Sequence, residues 1–130
     1  MSRDQVVERL SLGRSVAAEV TTSIPGHRGF VFVVPLVDAS RTKVLESPSG
    51  FGEPFTRRNV PNEDVISGYR VKYTVLRPGW EDTPDDWDLF LRSADESVLL
   101  SLPLLEHALR SQWGLELADL RLPHDVDHPF

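Results

Sequence analysis

The chain contains no cysteine. Disulfide bonds, thiolate nucleophiles and cysteine-ligated zinc are therefore excluded. Lysine is scarce: Lys43 and Lys72 are the only two among 14 basic residues, and the rest are Arg. Long apolar runs are missing too. No window approaches the roughly 18 consecutive apolar residues that a membrane-spanning helix needs. Residues 1–10 carry Arg3, Asp4, Glu8 and Arg9 and lack the apolar stretch of a signal peptide. The expectation is a soluble, cytoplasmic protein. Catalytic signatures are equally absent. There is no Walker loop, no Gly-x-Ser-x-Gly elbow and no His-Glu-x-x-His pair. Ser49-Gly50-Phe51-Gly52 holds one Gly-x-Gly without the third glycine of a dinucleotide site. No cofactor is expected.

With 130 residues, 40% of them hydrophobic, the chain can form one core without metal or disulfide support. The reading is a single α+β domain over residues 1–122, followed by a polar tail over 123–130. Its net charge of −6 is uneven. Residues 1–65 hold eight basic and eight acidic side chains, whereas residues 66–130 hold six basic and twelve acidic ones, so the second half carries the whole excess. Nucleic acid is disfavoured, because phosphate binding needs a basic surface. A basic protein is the better-matched partner.

Hydrophobic patterning predicts the elements. Ser2 with Gln5 forms a capping box for a helix over 3–12, on which Val6, Val7 and Leu10 make an apolar stripe. Val16, Ala18 and Val20 alternate with Ala17, Glu19 and Thr21 as in a strand. Pro25-Gly26 then turns the chain into Phe30–Val34, giving a hairpin. Pro35 lacks an N–H, which puts that end of the strand at an edge or a bulge. Lys43–Glu46 reads as a short strand. Residues 47–67 form a long irregular stretch, with Phe51 and Phe55 expected to pin it to the body. Tyr69, Val71, Tyr73 and Val75 define a half-buried strand that ends at Pro78-Gly79.

Residues 83–93 fit two patterns: a helix opening at Thr83-Pro84-Asp85-Asp86, or a hairpin strand. The hairpin is favoured, with a turn at Ala94–Ser97. A helix over Ser101–Trp113 carries Leu102, Leu105, Leu109 and Trp113 on one face, a Glu106–Arg110 pair on its surface and Gly114 as its stop. A last strand is expected over Leu115–Leu120. The sum is α+β: a mainly antiparallel sheet of about six strands, with an N-terminal and a C-terminal helix packed on one side.

The densest functional signal is Trp80-Glu81-Asp82-Thr83-Pro84-Asp85-Asp86-Trp87-Asp88. It sets five carboxylates beside two indoles. Local negative potential with large amphipathic rings suits a cationic protein surface. The partner-binding candidates are thus Trp80, Glu81, Asp82, Asp85, Asp86, Trp87 and Asp88, with no catalytic residue assigned. Other clusters are weaker. His124, Asp125, Asp127 and His128 have metal-ligand chemistry, but flanking prolines and a terminal position argue for a solvated tail. His107 lies opposite the apolar stripe of its helix and should be exposed, and His27 sits in a turn. Arg57, Arg58, Tyr69, Tyr73 and His107 would be the polar groups of a small-ligand pocket.

The small, acidic, cysteine-free α+β profile resembles that of bacterial immunity proteins, which mask a toxin's active site, and that of dimeric secretion chaperones. The resemblance is of profile and transfers no residue. It implies a non-enzymatic inhibitor of a basic protein such as a toxin nuclease. The alternatives are a homodimeric secretion or assembly chaperone, or a small-ligand protein with a pocket between sheet and helix.

Overall fold

The computed structural model describes residues 1–37, 43–45, 58–60 and 66–126. Helix α1 (Arg3–Ser11) begins as its sequence dictates: Gln5 N donates to Ser2 Oγ at 3.2 Å and Ser2 N donates to Gln5 Oε1 at 2.9 Å. Val6 and Leu10, one turn apart, are its buried residues. Strands β1 (Val16–Thr21) and β2 (Arg28–Val37) form the expected hairpin, with Ala18 opposite Val31. β3 (Lys43–Leu45) pairs with β4 (Arg58–Val60) in a ribbon of its own. β5 (Ile66–Leu76) and β6 (Leu91–Leu99) complete an antiparallel four-stranded sheet in the order β1-β2-β5-β6. The expected sheet of about six strands is thus corrected to four, because two of the six described strands pair only with each other.

The long stretch 47–67 is also corrected in part. It contains β4 and the first residues of β5. Phe51 and Phe55 lie outside the described residues, as does the Gly50/Gly52 loop. Pro35 fits its reading: it sits past the end of the β1 pairing, next to a register shift at Leu36/Val37.

Alternation splits the sheet into two faces. On the first, Val16, Ala18, Val20, Val31, Val33 and Val71 pack under the helices. Val6 and Leu10 come from α1, and Leu105 and Leu109 come from α2 (Leu102–Trp113). Both helices therefore cover one side, as the patterning predicts. On the second face, Ala17, Phe30 and Leu76 form a smaller cluster with Trp80 and Val126, flanked by Phe32, Trp87 and Phe90. β2 is apolar on both sides because both sides are covered at its N-terminal half. That cover fades by Val34, which is exposed.

Four local expectations fail for physical reasons. Residues 83–93 are neither one helix nor a hairpin strand. Pro84–Phe90 is a 3-10 segment interrupted at Asp86 (φ −114°), and the strand begins at Leu91. The expected turn Ala94–Ser97 lies inside β6, where Tyr73 pairs with Asp95 and Lys72 with Glu96. Long-range pairing with β5 overrides the turn preference of these polar residues. Leu115–Leu120 is not a strand either. Leu117–Asp119 is a 3-10 turn that drops Leu117 and Leu120 into the first core. Finally, Glu106 and Arg110 bond elsewhere. Glu106 binds Arg3 at 2.5 Å, and Arg110 makes two 2.8–2.9 Å bonds to Glu116 across the Gly114 cap (φ 65°). A two-bond fork gives better geometry than an i,i+4 contact.

The tail expected over 123–130 is not solvated throughout. Pro123–Asp125 is a 3-10 turn and Val126 is buried.

The Arg110 guanidinium holds the Glu116 carboxyl below its usual range, chiefly through their hydrogen bonds. A carboxyl depressed on folding contributes stability above its unfolded pKa and loses it as pH falls through the folded one. NMR titration should therefore place the Glu116 midpoint below the ordinary Glu value, and Arg110→Ala should return it there. Separately, the Thr74 hydroxyl is buried with no hydrogen-bond partner among the described residues. Thr74→Val should raise stability by about 1 kcal/mol in urea unfolding, since an unpaired buried hydroxyl carries its desolvation penalty.

Candidate functional site

The acidic segment forms the link between β5 and β6. Its ends are tied together, with Arg77 N donating to Phe90 O at 2.7 Å. Gly79 starts the first 3-10 turn (Trp80–Asp82) at φ 100°, in the left-handed region where a side chain is strained. A Cβ at that position would also meet the Phe90 ring at 3.3 Å. Asp82 N, Thr83 N and Asp86 N donate back to Gly79 O, Trp80 O and Thr83 O at 3.0–3.3 Å. Successive short turns thus replace the solvated loop that the composition suggests.

Trp80 is 3% exposed and belongs to the second core. Its indole meets the Phe30 ring edge-on, with centroids 6.0 Å apart and planes at 84°. This is the arrangement favoured by aromatic quadrupoles. Trp80 thus holds the segment down from inside. Trp87 is half-buried at the same cluster. Glu81, Asp82, Asp85, Asp86 and Asp88 are all exposed, so burial and display divide cleanly between the indoles and the acids. Leu89 stands among them at 73% exposure. The segment is a ridge of five formal negative charges on an aromatic base.

Sequence reading missed Arg28. Its Nε and Nη2 donate to the two Glu19 carboxylate oxygens, both at 2.8 Å, while Nη1 donates to Glu81 Oε1 at 3.2 Å. The guanidinium carbon lies 5.5 Å from the Phe30 centroid and 5.4 Å from that of Trp80. One side chain thus joins the first hairpin, the second core and the start of the ridge. A signal for it existed. Once Pro25-Gly26 is taken as the turn, Glu19 falls opposite Phe30, and Arg28 lies diagonally across from it.

The remaining candidates are scattered. Tyr69 and Tyr73 are half-buried under the helices, and Tyr73 packs on Trp113 at 5.3 Å. Burial, then the nearby Asp95, raises the Tyr73 pKa. His107 is exposed on α2 and His27 lies 3.1 Å from Pro25 O. Arg57, Asp127 and His128 lie outside the described residues, and of Arg58 only the backbone is described. His124 Nε2 is 3.5 Å from Asp125 Oδ1. None of these groups is brought to the ridge.

The division of labour is testable by urea unfolding. Trp80→Ala should cost about 3–5 kcal/mol, as for other buried aromatics. Asp82→Asn and Asp85→Asn should each stay within about 0.5 kcal/mol of wild type, since exposed side chains of this kind support no packing.

With this geometry in view, comparison with protein-family models, with curated proteins and with solved structures finds no match to the chain, so its reading rests on its own residues.

Proposed function

We propose that the chain is a non-enzymatic binding protein that docks a basic protein through the acidic ridge, in the manner of an inhibitor of a toxin nuclease. The observation that supports this is the separation within residues 80–88. The indoles fix the segment from below, and Glu81, Asp82, Asp85, Asp86 and Asp88 face solvent. A fixed array of like charges raises the rate of encounter with a cationic surface and rejects anionic ones. Trp87 and Leu89 supply apolar contact within the array. Holding the backbone in place beforehand lowers the ordering cost of binding. The place of action in this reading is the cytoplasm.

A second reading has its own observation. β6 is an edge of the sheet, and Leu89, Val98, Leu100 and Leu104 are exposed along and beside it. Such a surface suits a homodimer or a held client strand, as in a secretion chaperone. Asp95, Glu96 and the register shift at Val75/Leu76 oppose it, since charges and bulges blunt an edge.

The test uses the intact protein and the variant Asp82→Lys, Asp85→Lys, Asp86→Lys as parallel baits in native lysate at low salt. The expected result is one stoichiometric basic partner held by wild type, released by salt and lost by the variant. Affinity for that partner should fall at least tenfold, about 1.4 kcal/mol, with a flatter salt dependence. Equal retention by both baits contradicts the ridge. A stable homodimer in sedimentation that is broken by Val98→Lys favours the second reading.

A further inference from the structure

A second feature lies across Arg28 from the ridge. At the outer edge of β1, Ala17 N donates to Arg121 O at 2.9 Å and Arg121 N donates to Ala17 O at 2.7 Å. Peptide groups alternate along a strand, so Glu19 and Thr21 turn their N–H and C=O groups to this same outer edge. Among the described residues nothing bonds to them there. Continued antiparallel pairing would set Asp119 directly opposite Glu19. Like charges in that position destabilise a sheet. The chain instead leaves the edge in the 3-10 turn Leu117–Asp119.

The departure opens a groove of about 920 Å³ beside β1, bounded by the Thr22–His27 turn on one side and by residues 118–126 on the other. Three carboxylates line it (Glu19, which also binds Arg28, with Asp119 and Asp125), against the Arg121 side chain. Val20, Ile24 and Leu115 supply its apolar wall.

We infer that this groove takes an extended cationic peptide segment as an added strand on β1. The inference rests on the basic-partner reading above and names the part of the partner that is held. Backbone pairing to Glu19 and Thr21 gives affinity, as in other strand-addition sites. Alternation gives selectivity: a Lys or Arg opposite Glu19 sits between Glu19 and Asp119, and its neighbours turn apolar side chains toward Leu115 and Ile24. Glu19 and Glu81 share the Arg28 guanidinium, so groove and ridge meet at one ion-paired junction.

The probe is a fluorescein-labelled octapeptide of alternating lysine and valine, followed by fluorescence anisotropy with the full chain. Two further versions carry N-methyl groups on all lysines or on all valines, and a fourth replaces lysine with glutamate. The expected result is saturable binding of the parent, none of the glutamate version, and retention by the valine-methylated version alone, since a lysine opposite Glu19 turns its own N–H toward β1. Thr21→Pro removes the outward donor without touching the β2 pairing and should weaken binding about tenfold. Asp125→Lys, an exposed change, gives an independent check should the proline variant not fold.

No saturable binding, or equal binding of both N-methylated peptides, overturns the proposal. The ridge variant separates the two readings. Loss of the peptide in the ridge variant with none in Thr21→Pro and Asp125→Lys keeps the basic partner and rejects the groove.

Discussion

The Arg28 guanidinium is the point on which the candidate surface depends. It lies against both rings of the Phe30–Trp80 pair while its fork closes on Glu19 and reaches Glu81. Exposed ion pairs are worth little alone, about 0–1 kcal/mol. This cation is mostly buried against aromatic faces, where its side chain loses less freedom per bond and its attraction to the rings grows. It adds a polar tie between the first hairpin and the β5–β6 link to the apolar packing of Phe30 and Phe32 against Trp80, Trp87 and Phe90. With it, three separate stretches of sequence form one face, on which Glu19 and Glu81 share a single cation.

That face follows from how the sheet is covered. Helices α1 and α2 seal one side, which leaves Phe30, Phe32 and Leu76 needing cover on the other. The link between β5 and β6 provides it with Trp80, Trp87 and Phe90. A segment held by three aromatic rings cannot also bury carboxylates without leaving charge unpaired. The acids therefore face water as a consequence of the same packing. Among the described residues no helix is long and apolar enough to cross a membrane.

Much of the fold was legible in the sequence, and the particulars show why. The Ser2/Gln5 box, the β1–β2 hairpin, β5 and the Leu105/Leu109 helix all have periodicity and punctuation that agree, so local and long-range preferences point the same way. Residues 91–99 did not. Asp95, Glu96 and Ser97 look like a turn, and only pairing with β5 makes them a strand. Leu115–Leu120 failed in the opposite sense: Leu115 and Leu117 stand at strand spacing, but a 3-10 turn buries Leu117 and Leu120. The site was legible as a list of acids but not as a structure. Which indole lay inside, and that Arg28 would join Glu19 to Glu81, depended on contacts 9 and 53 residues apart.

The acids ride on a fixed base rather than on a solvated loop. Native-state hydrogen exchange, read by NMR at the Trp80 indole N–H and at the amides of Asp82, Thr83 and Asp86, tests this most directly. Exchange at least a hundredfold slower than in an unfolded chain is expected at all four, since the indole N–H is buried and the three amides are held in the turns, so that each exchanges only when the segment opens. Exchange at the unfolded-chain rate, with the sheet amides still protected, would contradict it.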